Sequence, residues 1–89
     1  MKAIITVIGN DKVGIIAGVS GLMAKYNANI LDINQTIFGN NFIMAMYVDL
    51  TEMKISFKEL KDELDKLGET IGLNVRIQRE EIFNAMHRL

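Results

Sequence analysis

The chain contains no cysteine, no proline and no tryptophan, and its one histidine is His87. Without cysteine there are no disulfides, no thiolate metal ligands and no thiol nucleophile. Without proline, and with no low-complexity tract, nothing marks a break between folding units. An excess of one charge is missing too: 10 Lys and Arg face 11 Asp and Glu, for a formal net charge of −1. Affinity for phosphate backbones needs a basic surplus, so this balance argues against a nucleic-acid partner. No apolar run approaches the roughly 20 residues that cross a bilayer. The opening Met1-Lys2-Ala3-Ile4-Ile5-Thr6 lacks the apolar region and small-residue cleavage site of a signal peptide. These absences lead us to expect a cytoplasmic protein with no membrane partner. What is present is globular: 89 residues, 49% hydrophobic and 24% charged. That length accommodates one domain, 1–89, with a core over 2–79 and a C-terminal helix over 80–89.

The periodicities give the elements. Ala3 to Ile8 is a β-branched run, apolar on both faces as a central strand is, ending at the turn cluster Gly9-Asn10-Asp11. From Val13 to about Asn27 apolar residues recur every three or four positions, which predicts a helix. Its glycines, Gly14, Gly18 and Gly21, predict one side where backbone approaches the sheet closely. Asn29 to Phe38 and Phe42 to Leu50 read as strands joined by Gly39-Asn40-Asn41, a hairpin signal. Ser56 and Glu59 form a capping-box pattern ahead of a helix whose stripe is Phe57, Leu60, Leu64, Leu67 and Ile71, stopped by Gly68 or Gly72. Leu73, Val75 and Ile77 alternate with polar residues as in a half-buried strand, and Glu80 to Leu89 can form a short helix. With right-handed crossovers, this order gives an α+β, ferredoxin-like βαββαβ fold. It is a four-stranded antiparallel sheet with two helices on one face, plus the C-terminal helix.

Such a fold hosts many activities, so the residues must discriminate. RNA readers display aromatics and basic flanks on the central strands, whereas here Tyr47 stands beside Asp49. An acyl-phosphate hydrolase needs an arginine in the first loop, and the arginines are Arg76, Arg79 and Arg88. His87 sits near the chain end, where a helix C-terminus accounts for it. Ser20 and Ser56 have no nearby base, and no carboxylate pair is set in contrasting environments. We expect no catalysis, no cofactor and no metal.

The remaining feature is the first loop and the helix it opens, Gly9 to Ala17. A helix N-terminus offers free N–H groups to a carboxylate. Asn10 and Asp11 stand ahead of it, able either to cap the helix or to hold an ammonium group. Asp11-Lys12-Val13-Gly14-Ile15, the apolar helix, and Asn27-Ala28-Asn29-Ile30-Leu31-Asp32-Ile33-Asn34-Gln35 resemble the ACT domain family from Lys2 to about Arg79. The free-standing length and the tail Ile82-Phe83-Asn84-Ala85-Met86 resemble single-ACT-domain bacterial and archaeal proteins, related to the ACT modules of glycine-cleavage repressors and formyltetrahydrofolate deformylases. The resemblance implies a regulatory module that binds an amino acid at an interface between paired domains. It implies ligand contacts from Asn10, Asp11, Gly14, Ile15 and Asn29. Where some members carry a loop histidine, this chain has Gly9. The alternative is a ligand-free adaptor that regulates an enzyme or transcription factor. The surplus of apolar residues on both faces of the strand Phe42–Leu50, and the stripe Ile82, Phe83, Met86 and Leu89, lead us to expect at least a homodimer.

Overall fold

A computed structural model describes residues 1–10 and 14–86. Its elements are β1 (Lys2–Asn10), α1 (Ile15–Tyr26), β2 (Asn29–Phe38), β3 (Asn41–Asp49), α2 (Phe57–Ile71), β4 (Asn74–Arg79) and α3 (Glu80–Met86). The strands lie in the order β2-β3-β1-β4, every pairing antiparallel, which is the expected ferredoxin-like arrangement. β1 and β2 both run antiparallel to β3 and therefore point the same way, as a strand–helix–strand crossover requires.

Alternation along β1 sorts the two faces. Ala3, Ile5 and Val7 are buried with Met44, Met46 and Val48 of β3 and Val75 and Ile77 of β4. Onto them pack Ile15, Val19 and Met23 of α1 and Leu60 and Leu64 of α2. Ile4, Thr6 and Ile8 point to the other face. No buried side-chain nitrogen or oxygen lacks a partner among the described residues.

The capping box of α2 forms as the sequence predicts: Ser56 Oγ accepts from the Glu59 N–H at 3.1 Å, and Glu59 Oε1 accepts from the Ser56 N–H at 3.1 Å. Gly72 ends α2 at φ 78°, so it supplies the stop, while Gly68 lies inside the helix against the Leu73 carbonyl and Val75. The three α1 glycines do not form one close-packing side. Gly14 is the N-cap at φ 96°, Gly18 meets Leu67 and Ile71 of α2 rather than the sheet, and Gly21 faces open space. Asn27, at φ 62°, closes α1 and donates from Nδ2 to the Glu52 carbonyl at 3.0 Å. The hairpin turn is Gly39-Asn40, one residue shorter than expected, because Asn41 already pairs with Phe38.

α3 packs against β1 and β4 on the face opposite α1 and α2. The Tyr47 hydroxyl donates to Glu80, and Gln78 Nε2 donates to Met86 Sδ at 3.1 Å. Phe83 is half-buried there, whereas Ile82 and Met86 stay 49% and 61% exposed. Among the described residues of the stripe, Phe83 alone is thus partly covered. His87, Arg88 and Leu89 lie outside the described residues.

Candidate functional site

β1 ends at Asn10, paired in register with Asn41 at the start of β3. Because the β2–β3 hairpin turns at this same end of the sheet, Asn10 shares a cleft of about 580 Å³ with Ile37, Gly39, Asn40, Asn41 and Phe42. Three asparagine amides supply both donors and acceptors around it, and Ile37 and Phe42 supply an apolar wall. The sequence flagged Asn40 and Asn41 only as turn formers. Their nearness to Asn10 follows from the β1–β3 register, a long-range pairing that no local pattern displays.

The five residues expected to form the site separate on inspection. Gly14 and Ile15 open α1 at the Asn10 end, but the Ile15 side chain is fully buried, so it has only its backbone N–H to offer. Gly14 occupies the cap position in the left-handed conformation, without a side-chain hydrogen bond. The reading of Asn10 or Asp11 as the helix cap is therefore corrected: the helix begins later than the loop pattern suggested. Asp11 itself lies outside the described residues, with Lys12 and Val13. Asn29 is exposed and opens β2 opposite Asp49, at the far end of the sheet from Asn10. Eight strand positions of β3, Asn41 to Asp49, separate the two levels, about 26 Å. Within one protomer Asn29 cannot join the Asn10 cleft.

Gly9 is part of β1, opposite Phe42, and the Leu73 side chain lies where a Cβ would project. A larger residue there would require the Leu73 side chain to move.

β2 is an edge strand, and almost nothing covers it. Apart from half-buried Ile30 all its residues are exposed, Ile37 at 70% and Phe38 at 76%. Register places Ile33 beside Met46 and Ile37 beside Phe42, on the helix-bearing face, yet α1 makes few contacts with the strand. A bulge at Leu31 shifts the register near that start, and the Asp32 carboxylate accepts from the Ile33 N–H at 2.9 Å.

A family model described as the ACT domain matches residues 2–78. A UPF0237 protein of Clostridium acetobutylicum is 55% identical over 89 residues, the whole length of both chains. Among solved structures, an ACT domain protein from Streptococcus pneumoniae superposes with a TM-score of 0.82 at 45% identity, covering 98% of each chain. One described as a glycine cleavage system transcriptional repressor superposes with a TM-score of 0.73 at 25% identity, covering 88% of this chain and 44% of that one. Among the described residues, no helix is long and apolar enough to cross a membrane.

Proposed function

The chain belongs to the ACT domain family, whose members are regulatory ligand-binding modules, and from that premise we propose that it is a non-catalytic sensor of an amino acid or similar small zwitterion, held between two copies of the chain. The observation that carries this reading is the geometry of β2. It is a ten-residue edge with no strand on its outer side, where the Ile33 N–H is held by Asp32, and with four exposed large apolar side chains, Leu31, Ile33, Ile37 and Phe38. Proteins ordinarily shield such an edge with charge or a covering element. A second copy related by a two-fold axis pairs there antiparallel, continuing the sheet. Antiparallel pairing sets the beginning of one β2 beside the end of the other. Asn29 of the partner subunit then lies at the level of Asn10, Asn40 and Asn41, the end from which it is some 26 Å distant within its own protomer. The expected ligand contacts thus become one site across the interface, with the Asp11 carboxylate suited to an α-ammonium group and the first N–H groups of α1 to an α-carboxylate.

The test is a thermal-shift screen of the full chain against the twenty amino acids. A ligand at 100 Kd stabilises by about 2.7 kcal/mol, a shift of roughly ten degrees or more for a domain of this size. Asp11→Asn and Asn29→Ala should each abolish most of that shift while leaving the unliganded melting temperature nearly unchanged. If no amino acid moves the transition, ligand binding is overturned. The same strand edge then supports the second reading, an adaptor that accepts an extended segment of another protein.

A further inference from the structure

On the face of the sheet opposite α1 and α2, helix α3 divides the surface into two clefts that share Phe83 as a wall. The cleft on the β2–β3 side includes Asp32. The one on the β4 side, about 360 Å³, is lined by Arg76, Thr6, Gln78 and Asn74 beside Ile8, Phe83 and Met86, and among the described residues no acidic side chain lines it. Thr6 and Arg76 are direct cross-strand partners and stand side by side on this face. Arg76 makes no hydrogen bond or ion pair with any described residue. The Gln78 amide spends an N–H on the thioether sulfur of Met86, a weak acceptor that a carboxylate readily outcompetes. The cleft therefore gathers a guanidinium fork, two side-chain amides and a hydroxyl beside an apolar wall, and no anion among the described residues meets them. We infer that this cleft, which shares no lining residue with the Asn10 cleft, is a second binding site for a small organic carboxylate with an apolar body. The carboxylate takes the Arg76 fork in bidentate fashion with Thr6 or Gln78 as a third donor, while the body lies against Phe83 and Met86.

The site lies on the opposite face from Ile37 and Phe42, so occupying it does not require the β2 edge to pair. The probe is 3-phenylpropionate, with its neutral analogue 3-phenylpropionamide as control, titrated into the isotopically labelled full chain and followed by backbone amide shifts. Saturable shifts of Thr6, Arg76 and Gln78 are expected with the carboxylate, and binding weaker by about tenfold or more with the amide, because a charged hydrogen-bonded pair is lost. Arg76→Gln should weaken the carboxylate about tenfold or more without lowering the melting temperature, and Arg76→Lys, a point charge without the fork, should retain part of the affinity. Three results overturn the inference. One is the absence of any saturable shift at these residues below about 10 mM probe. Another is equal binding of acid and amide, which leaves only apolar contact. The third is unchanged affinity in Arg76→Gln, which reduces Arg76 to a charged guard on the outer strand β4.

Discussion

Single side chains tie the layers together at the rim of the core. The Tyr26 hydroxyl, at the end of α1, donates to Glu63 Oε1 of α2 at 2.8 Å. That hydrogen bond, with the nearby charge of Lys66, holds the Glu63 carboxyl below its ordinary value of 4.5. A carboxylate whose folded-state value is depressed adds stability above its unfolded value and loses that contribution as pH falls toward the folded one. Tyr26→Phe should therefore lower stability at neutral pH, and the gap from the wild type should narrow below about pH 4. Denaturant unfolding at several pH values measures it. A gap that stays constant down to acid pH would assign the effect to packing of the ring alone. Asp49 is held low in the same way, first by the Thr51 hydroxyl, whose Oγ1 lies 2.6 Å from its carboxylate, so it titrates in the same direction and serves as the internal comparison. Tyr47 is displaced upward because its hydroxyl serves Glu80. It therefore remains a neutral donor across the physiological range, fastening the start of α3 to β3.

Two glycines in helices show how differently the same residue acts. In α2, a Cβ on Gly68 would sit 2.9 Å from the Leu73 carbonyl oxygen and 3.3 Å from Val75 Cγ2. Backbone cannot yield as a side-chain tip can, so Gly68→Ala should destabilise by about 1–3 kcal/mol despite the better helix propensity of alanine. In α1, Gly21 has nothing within 4 Å of that position, and Gly21→Ala should stabilise by up to about 1 kcal/mol. Chemical denaturation of both variants checks the pair. Stabilisation by Gly68→Ala would refute the close approach. The same contrast marks what local sequence discloses. The capping box, the hairpin, the core stripe of α2 and the alternation in β4 were all legible, because each is encoded within a few neighbouring residues. The start of α1 was misplaced because a polar pair, Asn10-Asp11, resembles a cap, while the chain continues to Gly14, whose left-handed conformation opens the helix. The candidate site was legible only in fragments. Asn10 and Gly14 share one end of the sheet, but Asn29 and the Asn40-Asn41 turn find their places through strand register across the sheet, which sequence spacing does not record.

At the scale of the whole molecule the question is which surface meets another copy. Apart from Met1, the described residues expose large apolar side chains in two places: the face beside α3, where Ile8, Ile82 and Met86 remain 48%, 49% and 61% exposed, and the β2 edge, where Ile37 and Phe38 reach 70% and 76%. Both outer strands, β2 and β4, leave backbone groups open for pairing, but the exposed residues of β4 are polar, Asn74, Arg76 and Arg79, whereas those of β2 include Leu31, Ile33, Ile37 and Phe38. The β2 edge should therefore govern assembly and α3 should be dispensable for it. Ile37→Lys separates these roles. In one protomer the side chain is mostly solvated, so the substitution should change protomer stability by no more than about 0.5 kcal/mol. In a two-fold β2 pairing, each copy brings a new ammonium group to an apolar seam, and the edge becomes charged as solitary edges are. Sedimentation at micromolar concentration should show the full chain as a dimer, Ile37→Lys as a monomer of about 10.0 kDa, and a form ending at Arg79 still as a dimer. A full chain sedimenting as a monomer rejects the pairing outright. A dimer that survives Ile37→Lys but dissociates without α3 moves the interface to the opposite face, and with it removes the route by which Asn29 of the partner subunit reaches the Asn10 cleft.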